Sequence, residues 1–358
     1  MTISKANIKL MTREDLQARL SELNLKKYRT DQIFKWIYTH HASSFEEMTN
    51  IAKPERQLLA LHFFISIPKI IRAEASSDGT RKFLFQLEDN HTVESVLIPD
   101  EGRQTLCISS QVGCQQACRF CLTGRGGFLR NLKAHEITDQ DLEISRILAR
   151  ENARGITNIV LMGMGEPLAN LKETIKALRI LTADYGLNIS PRRITVSTDG
   201  LAPEIGKLGK TGIKVNLAVS LNATTDDVRD KIMPVNRRYP LKELLSACRR
   251  FPLEQRRRIT FEYVLLHGVN DTPADAHRLA GLLKGIKCKV NLIPFNPFPG
   301  SEFERPNDMA VRRFQKILLD NHFTAPVRES RGRDISAACG QLREQEISKK
   351  GTAPDHSL

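Results

Sequence analysis

The sequence predicts an α/β fold, an incomplete (βα)6 barrel that follows a small N-terminal helical domain and a connecting β-hairpin. Three observations predict it. Apolar residues recur at helical spacing over the first 60 residues, two short extended segments follow, and strand-like runs then alternate with amphipathic helical runs after Pro99. Such alternation is typical of a parallel sheet covered by helices.

The N-terminal region is predicted to be helical and to lead into a hairpin. Thr12 and Asp15 have the spacing of a capping box, which marks the start of a helix. The apolar residues at helical spacing after it are Leu16, Leu20, Leu23, Ile33, Phe34, Ile37 and Tyr38. Residues 82–87 and 92–98 are extended runs separated by a turn at Asp89–Asn90, which predicts the hairpin.

Six strand–helix units make up the rest of the chain. They span 105–110 with 134–153, 157–162 with 170–185, 192–198 with 201–209, 214–221 with 240–251, 258–265 with 273–286, and 289–295 with 306–322. Six units followed by a short apolar segment at 325–328 favour a barrel that does not close. The sequence therefore divides into a helical domain (1–66), a hairpin connector (67–100), a partial-barrel catalytic domain (101–343) and a disordered tail (344–358).

Charge and composition indicate which classes of protein the chain can belong to. The net charge is +13, from 54 Lys plus Arg residues against 41 Asp plus Glu residues. The basic residues form scattered doublets and triplets, so either a face that binds a polyanion such as nucleic acid or a merely solvated surface accounts for them. Seven cysteines in 358 residues do not indicate a disulfide scaffold. No apolar run has the length of a signal peptide or a bilayer span, so we expect a cytoplasmic location and no membrane partner.

Three cysteines crowd together just beyond the first predicted barrel strand. Cys114, Cys118 and Cys121 form a CxxxCxxC motif. Three cysteines on a four-iron cluster leave one iron free to bind another group, whereas a closed zinc site takes four ligands. Zinc with Cys107 or a histidine as the fourth ligand is the alternative. The spacing resembles that of radical S-adenosylmethionine (SAM) enzymes, in which the open iron chelates the amino and carboxylate groups of SAM.

Polar residues follow several predicted strands. Gly165 and Glu166 end the second strand, where glycine allows close approach of a ligand and a carboxylate can hold an ammonium group. Ser197, Ser220, Asn222 and Asn296 end later strands. Turn or cap chemistry explains each of them alone, but together they predict a cofactor wall. By residue type alone, Cys339 would be an inert buried thiol and Glu94 a carboxylate on a strand surface.

Several ordered motifs together resemble the RlmN/Cfr family of radical SAM methyltransferases, which methylate adenine carbons in RNA. The resemblance runs from about residue 10 to residue 343, and its motifs lie at 107–114, 118–124, 127–132, 162–167, 293–298 and 338–342. It implies a 4Fe-4S cluster held by Cys114, Cys118 and Cys121. It also implies a SAM site formed by Gly165, Glu166, Ser197, Ser220, Leu221, Asn222 and Asn296.

The resemblance also implies a mechanism with two cysteines. One SAM methylates Cys339, and a second SAM yields a 5′-deoxyadenosyl radical that removes hydrogen from the new methyl group. The resulting carbon radical adds to the adenine ring. Cys107 then releases the product by forming a disulfide with Cys339, and Glu94 accepts the proton. Radical addition suits an electron-poor ring carbon that has no lone pair with which to attack a sulfonium methyl group.

The implied partners are RNA and an electron donor. We expect C2 methylation of an adenosine in 23S rRNA, with tRNA as a further substrate, a reductant such as flavodoxin or ferredoxin, and a monomeric enzyme whose N-terminal domain docks RNA. Val112, where Cfr has cysteine, favours C2 over C8. C8 methylation stays an alternative. The sequence departs from the usual family pattern at Asn222, Leu122 and Asp199, so a paralogue that acts on another RNA stays an alternative. The alternative from another class is a non-catalytic, zinc-dependent RNA-binding protein.

Overall fold

The computed structural model describes residues 5–343, so the predicted tail lies outside the described residues. The N-terminal part contains helices α1 (Arg13–Glu22), α2 (Tyr28–Tyr38) and α3 (Lys53–His62). Two short strands, β1 (Ala6–Asn7) and β2 (Phe63–Phe64), pair in parallel at its ends. Thr12 and Asp15 close the predicted capping box at the start of α1. The helical prediction for this region is confirmed.

The N-terminal helices pack around an apolar cluster of their own. Leu16, Leu20 and Ile33 are fully buried there, as the helical spacing predicts. An ion pair in the interior joins this cluster to the rest of the chain, because Lys9 Nζ lies 2.6 Å from Asp139 Oδ1. Charges removed from water in this way are retained only when they are paired.

The remaining strands and helices follow in chain order. The strands are β3 (Lys69–Ala75), β4 (Arg81–Gln86), β5 (Thr92–Asp100), β6 (Arg103–Cys107), β7 (Gln111–Gly113), β8 (Phe128–Asn131), β9 (Asn158–Leu161), β10 (Ile194–Thr198), β11 (Asn216–Ser220), β12 (Ile259–Leu265) and β13 (Cys288–Pro294). The helices are α4 (Leu122–Arg125), α5 (Ala134–Arg150), α6 (Leu171–Thr182), α7 (Ala202–Lys210), α8 (Asp226–Ile232), α9 (Leu241–Arg250), α10 (Pro273–Leu283) and α11 (Asp308–Asp320). All six predicted strand–helix units are present.

One nine-stranded sheet carries the whole barrel region. Its order is β13–β12–β11–β10–β9–β6–β5–β4–β3, so the six parallel strands are neighbours in chain order. The predicted hairpin is β4 with β5, and β5 pairs antiparallel with β6. The hairpin is therefore continuous with the barrel sheet, and β3 adds a further strand at its edge. The division of the chain at residues 66, 100 and 343 stays a prediction.

The barrel does not close. The outer edge of β13 is covered by an extended segment at 324–328, where Val290 N donates to Thr324 O at 2.9 Å and Leu292 N donates to Pro326 O at 2.9 Å. Parallel strands in one sheet end at a common edge, which is where ligands bind in folds of this kind. Among the described helices, none is both long and apolar enough to cross a membrane.

Candidate active site

A cavity of about 680 Å³ runs along the inner face of the parallel strands to their carboxyl ends. It is lined by the five cysteines that the sequence singles out: Cys107, Cys114, Cys118, Cys121 and Cys339. It is also lined by six of the seven predicted SAM-site residues, namely Gly165, Glu166, Ser197, Ser220, Asn222 and Asn296. The structure thus brings together residues that lie more than 200 positions apart in the chain.

The three-cysteine loop is held by backbone contacts. Cys114 N donates to Gly127 O at 2.7 Å, and Cys121 N donates to Cys118 O at 3.1 Å. Gly113 has a φ of +73°, and a Cβ atom there would lie 2.1 Å from Gly127 O. Only glycine fits this position, because the backbone is left-handed and the neighbouring carbonyl leaves no room for a side chain.

The three thiols of the loop share one low-dielectric environment. Burial raises the pKa of each thiol, and the charge of Asp199 raises each further. Cys121 also raises the pKa of both Cys114 and Cys118, so the three sulfurs are near neighbours. Thiolates are the form that binds iron, so loading of a cluster here must release protons from these thiols.

The number of cysteines in the loop distinguishes the two possible metal sites. A closed zinc site takes four ligands, whereas three thiolates on a four-iron cluster leave one iron open to another group. The loop supplies three thiols, Cys114, Cys118 and Cys121, and this donor set fits a cluster with one open iron.

Glu166 lies at the end of β9, beside the cysteine loop, and only 2% of its surface is exposed. Its carboxylate accepts hydrogen bonds from Asp199 N at 2.7 Å and Leu168 N at 2.9 Å. Burial raises its pKa to about 8, helped by the charge of Asp199 and opposed by these hydrogen bonds. A cationic ligand in the cavity would favour the ionised form, so the site suits the ammonium group of SAM.

Two residues of this region were not predicted as site residues from the sequence. Asp199 follows β10, and its Oδ2 accepts a hydrogen bond from Cys118 Sγ at 3.3 Å. Arg229 on α8 is fully buried and donates to Asp199 O at 2.6 Å and to Leu221 O at 3.0 Å, which ties together the ends of β10 and β11. Asp199 continues the row of polar strand ends and could have been included. Arg229 gave no signal in the sequence.

The other predicted SAM-site residues divide into two groups. Ser197, Ser220 and Asn296 line the cavity, and Asn296 Oδ1 is a buried acceptor without a hydrogen-bond partner among the described residues. Such an unsatisfied atom fits a polar ligand. Leu221 is fully buried and does not line the cavity. The Asn222 side chain is engaged by the protein, because its Oδ1 accepts from Val264 N at 2.8 Å.

Cys339 and Cys107 both line the cavity. Cys107 ends strand β6 and is buried, whereas Cys339 is exposed on the segment that follows α11. Burial and the nearby charge of Cys339 together raise the pKa of Cys107 to about 12. The exposed surface of Cys339 lies in the cavity, where the surrounding protein raises its pKa and the charge of Arg328 opposes this shift. One accessible thiol therefore lies beside one sheltered thiol.

Glu94 is not among the residues that line the cavity. It lies on β5, is 1% exposed, and its carboxylate lies 3.3 Å from Lys82 Nζ and accepts from Arg343 N at 3.0 Å. Burial raises its pKa, and the charge of Lys82 opposes this shift. The structure thus places Glu94 against the backbone that follows Cys339, and its part in proton transfer stays a prediction.

Two family descriptions match the chain. The description "Radical SAM superfamily" covers residues 108–280, and "Ribosomal RNA large subunit methyltransferase N-terminal domain" covers residues 6–65. A radical SAM methyltransferase from Sphaerobacter thermophilus has a crystal structure similar to this one, with a TM-score of 0.89 and 46% sequence identity over 94% of this chain and 99% of that one. The radical SAM fold predicted from the sequence is confirmed.

Curated relatives extend the similarity over nearly the whole chain. A protein of Syntrophus aciditrophicus named dual-specificity RNA methyltransferase RlmN is 52% identical over 98% of this chain and 100% of its own length. A protein of Pelobacter propionicus with the same name is 56% identical over 95% of this chain and 96% of its own. The motifs, the cavity and these relatives agree, and the chain belongs to the RlmN family of radical SAM RNA methyltransferases.

Proposed function

We propose that the chain methylates C2 of an adenosine in 23S rRNA, and that tRNA is its second substrate. One observation carries the proposal: an accessible Cys339, a sheltered Cys107 and the three loop cysteines line a single cavity. An ordinary methyltransferase needs none of these thiols. The name dual-specificity RNA methyltransferase RlmN, shared by relatives with more than 50% identity, supports two classes of RNA substrate.

The family uses a 4Fe-4S cluster and SAM, and the residues present fit both. Cys114, Cys118 and Cys121 would hold the cluster, and Glu166 with Asn296 would hold polar groups of SAM. When bound, the two supply an electrophilic methyl group and a radical able to remove a hydrogen atom. The protein's own task is to position its thiols and to keep water out of the cavity.

Cys339 would carry the methyl group. Its thiolate would attack the sulfonium methyl carbon of SAM, so that a carbon–sulfur bond forms on Cys339, the one in the donor breaks, and the neutral thioether leaves. Loss of one hydrogen atom then leaves a carbon-centred radical on the Cys339 side chain, and this radical adds to C2 of adenine. Because Cys339 is the exposed thiol of the pair, it is the one that RNA can reach.

Cys107 would release the product. After addition, the adenine is joined to Cys339 through one carbon, and the thiolate of Cys107 attacks the Cys339 sulfur. The sulfur–carbon bond breaks, a disulfide forms between the two cysteines, and the carbon that leaves takes up a proton as the new methyl group. Before this release, the adduct radical must lose the C2 proton, which Glu94 would accept, and one electron, which would return to the oxidised cluster. A reductant must then restore both thiols.

The partners follow from this chemistry. We assign RNA docking to the N-terminal helical part, because residues 6–65 match a description that names a ribosomal RNA methyltransferase domain. Reduction of a cluster and of a disulfide requires an electron donor such as flavodoxin or ferredoxin. Free thiols at the site suit the reducing cytoplasm, and we propose that the enzyme works there as a monomer.

Mass spectrometry of nucleosides tests the proposal. The reconstituted protein is incubated anaerobically with SAM, a reductant and, separately, rRNA or tRNA from cells that lack the enzyme. We expect 2-methyladenosine in both pools, and none with the Cys339→Ala protein as the matched control. Detection of 8-methyladenosine would show the Cfr-like reaction instead. Absence of any methylated adenosine from both pools would contradict the proposal and point to a different RNA.

A further inference from the structure

A pocket of about 490 Å³ lies at the amino ends of strands β12 and β13, outside the catalytic cavity. Consecutive arginines precede β12, a lysine precedes β13, and a histidine follows α11. The basic residues of its lining are Arg256, Arg257, Arg258, Lys287 and His322, and its other described lining residues carry no charge. The reaction proposed above uses none of these side chains.

The positive charge of this pocket is not offset by ion pairs within the described chain. Among the described residues, Arg256, Arg258 and Lys287 form no salt bridge. Glu254 is the one carboxylate of the loop before β12, and it is paired with Lys214 at 2.7 Å. Cations held close together repel one another, and a polyanion would relieve this repulsion. The pocket therefore suits a ligand that carries several negative charges.

Two of the basic residues adopt a backbone conformation that favours glycine, since Arg256 and His322 both have a φ of +66°. Arg256 lies in a turn closed by a hydrogen bond from Arg257 N to Glu254 O at 3.0 Å. His322 lies two residues beyond α11, where its N donates to Leu319 O at 2.9 Å. Residues other than glycine are uncommon in this conformation, and they cluster at functional sites. The basic side chains at both positions are thus a second observation, independent of charge, that points to binding.

Basic side chains continue from this pocket to the catalytic cavity. Arg103 begins β6 and lines the cavity, which therefore reaches the amino ends of the parallel strands. Lys289 lines the cavity, and Lys287, two residues before it, lines the pocket. Thr324 lines the pocket, and Arg328, at the other end of the same extended segment, lines the cavity. A polyanion seated in the pocket would thus extend towards the cavity.

The position of the pocket favours RNA over the electron donor as its ligand. The loop of Cys114, Cys118 and Cys121 comes after β6, at the carboxyl ends of the parallel strands, whereas the pocket lies at their amino ends. The donor must approach the proposed cluster. RNA instead must place an adenosine in the cavity, and the phosphates on either side of that adenosine stay outside. Contacts of lysine and arginine with phosphates fix the position of a nucleic acid.

We propose that the pocket of Arg256, Arg258, Lys287 and His322 binds backbone phosphates of the RNA beside the adenosine that is methylated. This inference rests on the proposed function, and it adds a second RNA-docking surface to the N-terminal helical part. Phosphate contacts carry no base specificity, so one pocket can serve rRNA and tRNA alike. The RNA backbone is then held on one side of the cavity while the adenosine occupies it.

The test is the affinity of the full-length protein for an unmodified tRNA transcript, measured by fluorescence anisotropy without SAM. The pocket variant, Arg256→Gln/Arg258→Gln/Lys287→Gln, removes three exposed charges. Every phosphate contact adds to the salt dependence of binding, so the ratio of the affinities at 50 and 200 mM salt should be about 20–40-fold smaller in this variant than in the wild type.

The matched control is Lys172→Gln/Lys242→Gln/Arg312→Gln, which removes three exposed charges near the starts of α6, α9 and α11. Helices that connect parallel strands run back along the sheet, so these charges lie towards the carboxyl ends of the strands. The control should keep the wild-type ratio. If denaturant unfolding shows that the pocket variant is less stable, Lys287→Gln alone serves as the second variant, and its ratio should fall about threefold.

A pocket variant with the wild-type ratio, or a control variant with an equal decrease, would overturn the phosphate pocket. Unchanged RNA affinity together with weaker binding of flavodoxin would assign the pocket to the electron donor and overturn it as well. Nucleoside mass spectrometry with saturating RNA tests the proposed function separately. If the wild type forms 2-methyladenosine and the pocket variant keeps its RNA affinity, only the pocket is contradicted. If the wild type forms no methylated adenosine but the pocket variant loses RNA affinity, the pocket stands and the proposed function is contradicted.

Discussion

The loop that holds Cys114, Cys118 and Cys121 and the segment that holds Cys339 meet in one cavity but are stabilised in different ways. Short-range backbone hydrogen bonds shape the loop: Cys114 N donates to Gly127 O, and Cys121 N donates to Cys118 O. Contacts with distant residues, such as Arg119 N with Ile232 O, add to this local framework. The cysteine spacing itself is a local feature and can be recognised in the sequence.

The Cys339 segment, residues 332–343, depends on groups from distant parts of the chain. Asp78 accepts from Gly332 N at 2.9 Å, Lys82 donates to Ile335 O at 2.7 Å, and Glu94 accepts from Arg343 N at 3.0 Å. On the other side, Asn296 Nδ2 donates to Cys339 O at 3.3 Å. The antiparallel strands β3–β5 thus contribute to the site by anchoring the segment that carries Cys339, the proposed methyl acceptor.

The two regions touch where Leu122 N donates to Gly340 O at 2.7 Å and Thr123 Oγ1 donates to Leu342 O. Cluster binding and methyl transfer therefore depend on two parts of the structure that are stabilised by different contacts and can be altered separately. A substitution in the loop should remove the cluster, whereas a substitution in the segment should leave the cluster in place and affect only the steps at Cys339.

The largest expected effect distinguishes the two kinds of cysteine. Cys118→Ala removes one of the three proposed ligands, so we expect iron to fall from about four per chain to below one, with complete loss of methylation. Cys339→Ala removes no ligand and should keep the iron while it also loses methylation. Iron analysis and visible absorption after anaerobic reconstitution measure this. Equal iron loss in both variants would show that the two regions are not separable.

The next largest effect is expected for the Cys107→Ala substitution, which should change the amount of RNA bound covalently to the protein. Without it, the link between Cys339 and adenine cannot be resolved by a disulfide, so Cys107→Ala protein should accumulate covalently bound RNA. A denaturing gel with labelled RNA detects the adduct. Cys288→Ala is the control, because Cys288 is a buried cysteine on β13 that does not line the cavity.

The adduct must disappear in the Cys107→Ala, Cys339→Ala double variant, because the carbon link is formed on Cys339. An adduct that persists without Cys339 would assign the methyl group to another residue. Full product from the Cys107→Ala protein, with no adduct, would contradict the two-cysteine mechanism.

Much of the fold follows from the sequence because its signals are local. The capping box at Thr12 and Asp15 and the six strand–helix alternations are properties of short windows, and both are confirmed. The pairing of β5 with β6 was not predicted. A hairpin pattern shows that two strands pair with each other, but it does not show which third strand they join.

The site was only partly predictable, because short sequence patterns identify local features and do not show contacts between residues far apart in the chain. The three-cysteine spacing identified the loop directly, and residue type alone assigned Cys339 and Glu94 no role. Their implied roles came from the family resemblance, since the contacts of Glu94 with Lys82 and Arg343 join residues far apart in the chain. Arg229 is buried by packing that involves several strand ends, and no short pattern marks such a residue.

The unfolding free energies of two glycine variants test how tightly short-range contacts hold the cysteine loop. Gly113 and Gly127 both have positive φ, at +73° and +83°, but only Gly113 has a backbone oxygen at 2.1 Å from an added Cβ. Gly127→Ala should cost about 1–2 kcal/mol of unfolding free energy, from the left-handed backbone alone. Gly113→Ala carries the clash as well and should cost more than about 3 kcal/mol.

Denaturant unfolding of the two glycine variants measures the difference, and iron content provides the second readout. We expect Gly127→Ala to keep its cluster and Gly113→Ala to lose it, because Gly113 directly precedes Cys114. Similar unfolding free energies for both variants would mean that the loop can shift to admit a side chain, and that it is held less tightly than its hydrogen bonds indicate.

The smallest expected effect concerns the anchoring of the Cys339 segment. Asp78 accepts hydrogen bonds from Gly332 N and Thr80 N, at 2.9 Å each. Asp78→Asn should weaken this anchor and increase hydrogen exchange in residues 332–343 several-fold, with iron content and overall stability nearly unchanged. Asp320→Asn is the matched control, since Asp320 forms its ion pair with Lys316 on the surface of α11, away from residues 332–343.

The pH dependence of this anchor follows from the sign of the pKa shift. Burial raises the pKa of Asp78, but hydrogen bonds from Thr80, Gly332 and Ser76 outweigh it and lower the pKa to about 2. A carboxyl group with a lowered pKa contributes its stability above its unfolded value, and loses that contribution only as the pH falls towards 2. The ratio of exchange rates between variant and wild type should therefore stay constant from pH 6 to 8. A ratio that changed with pH in this range would mean that another titrating group, and not Asp78, governs the segment.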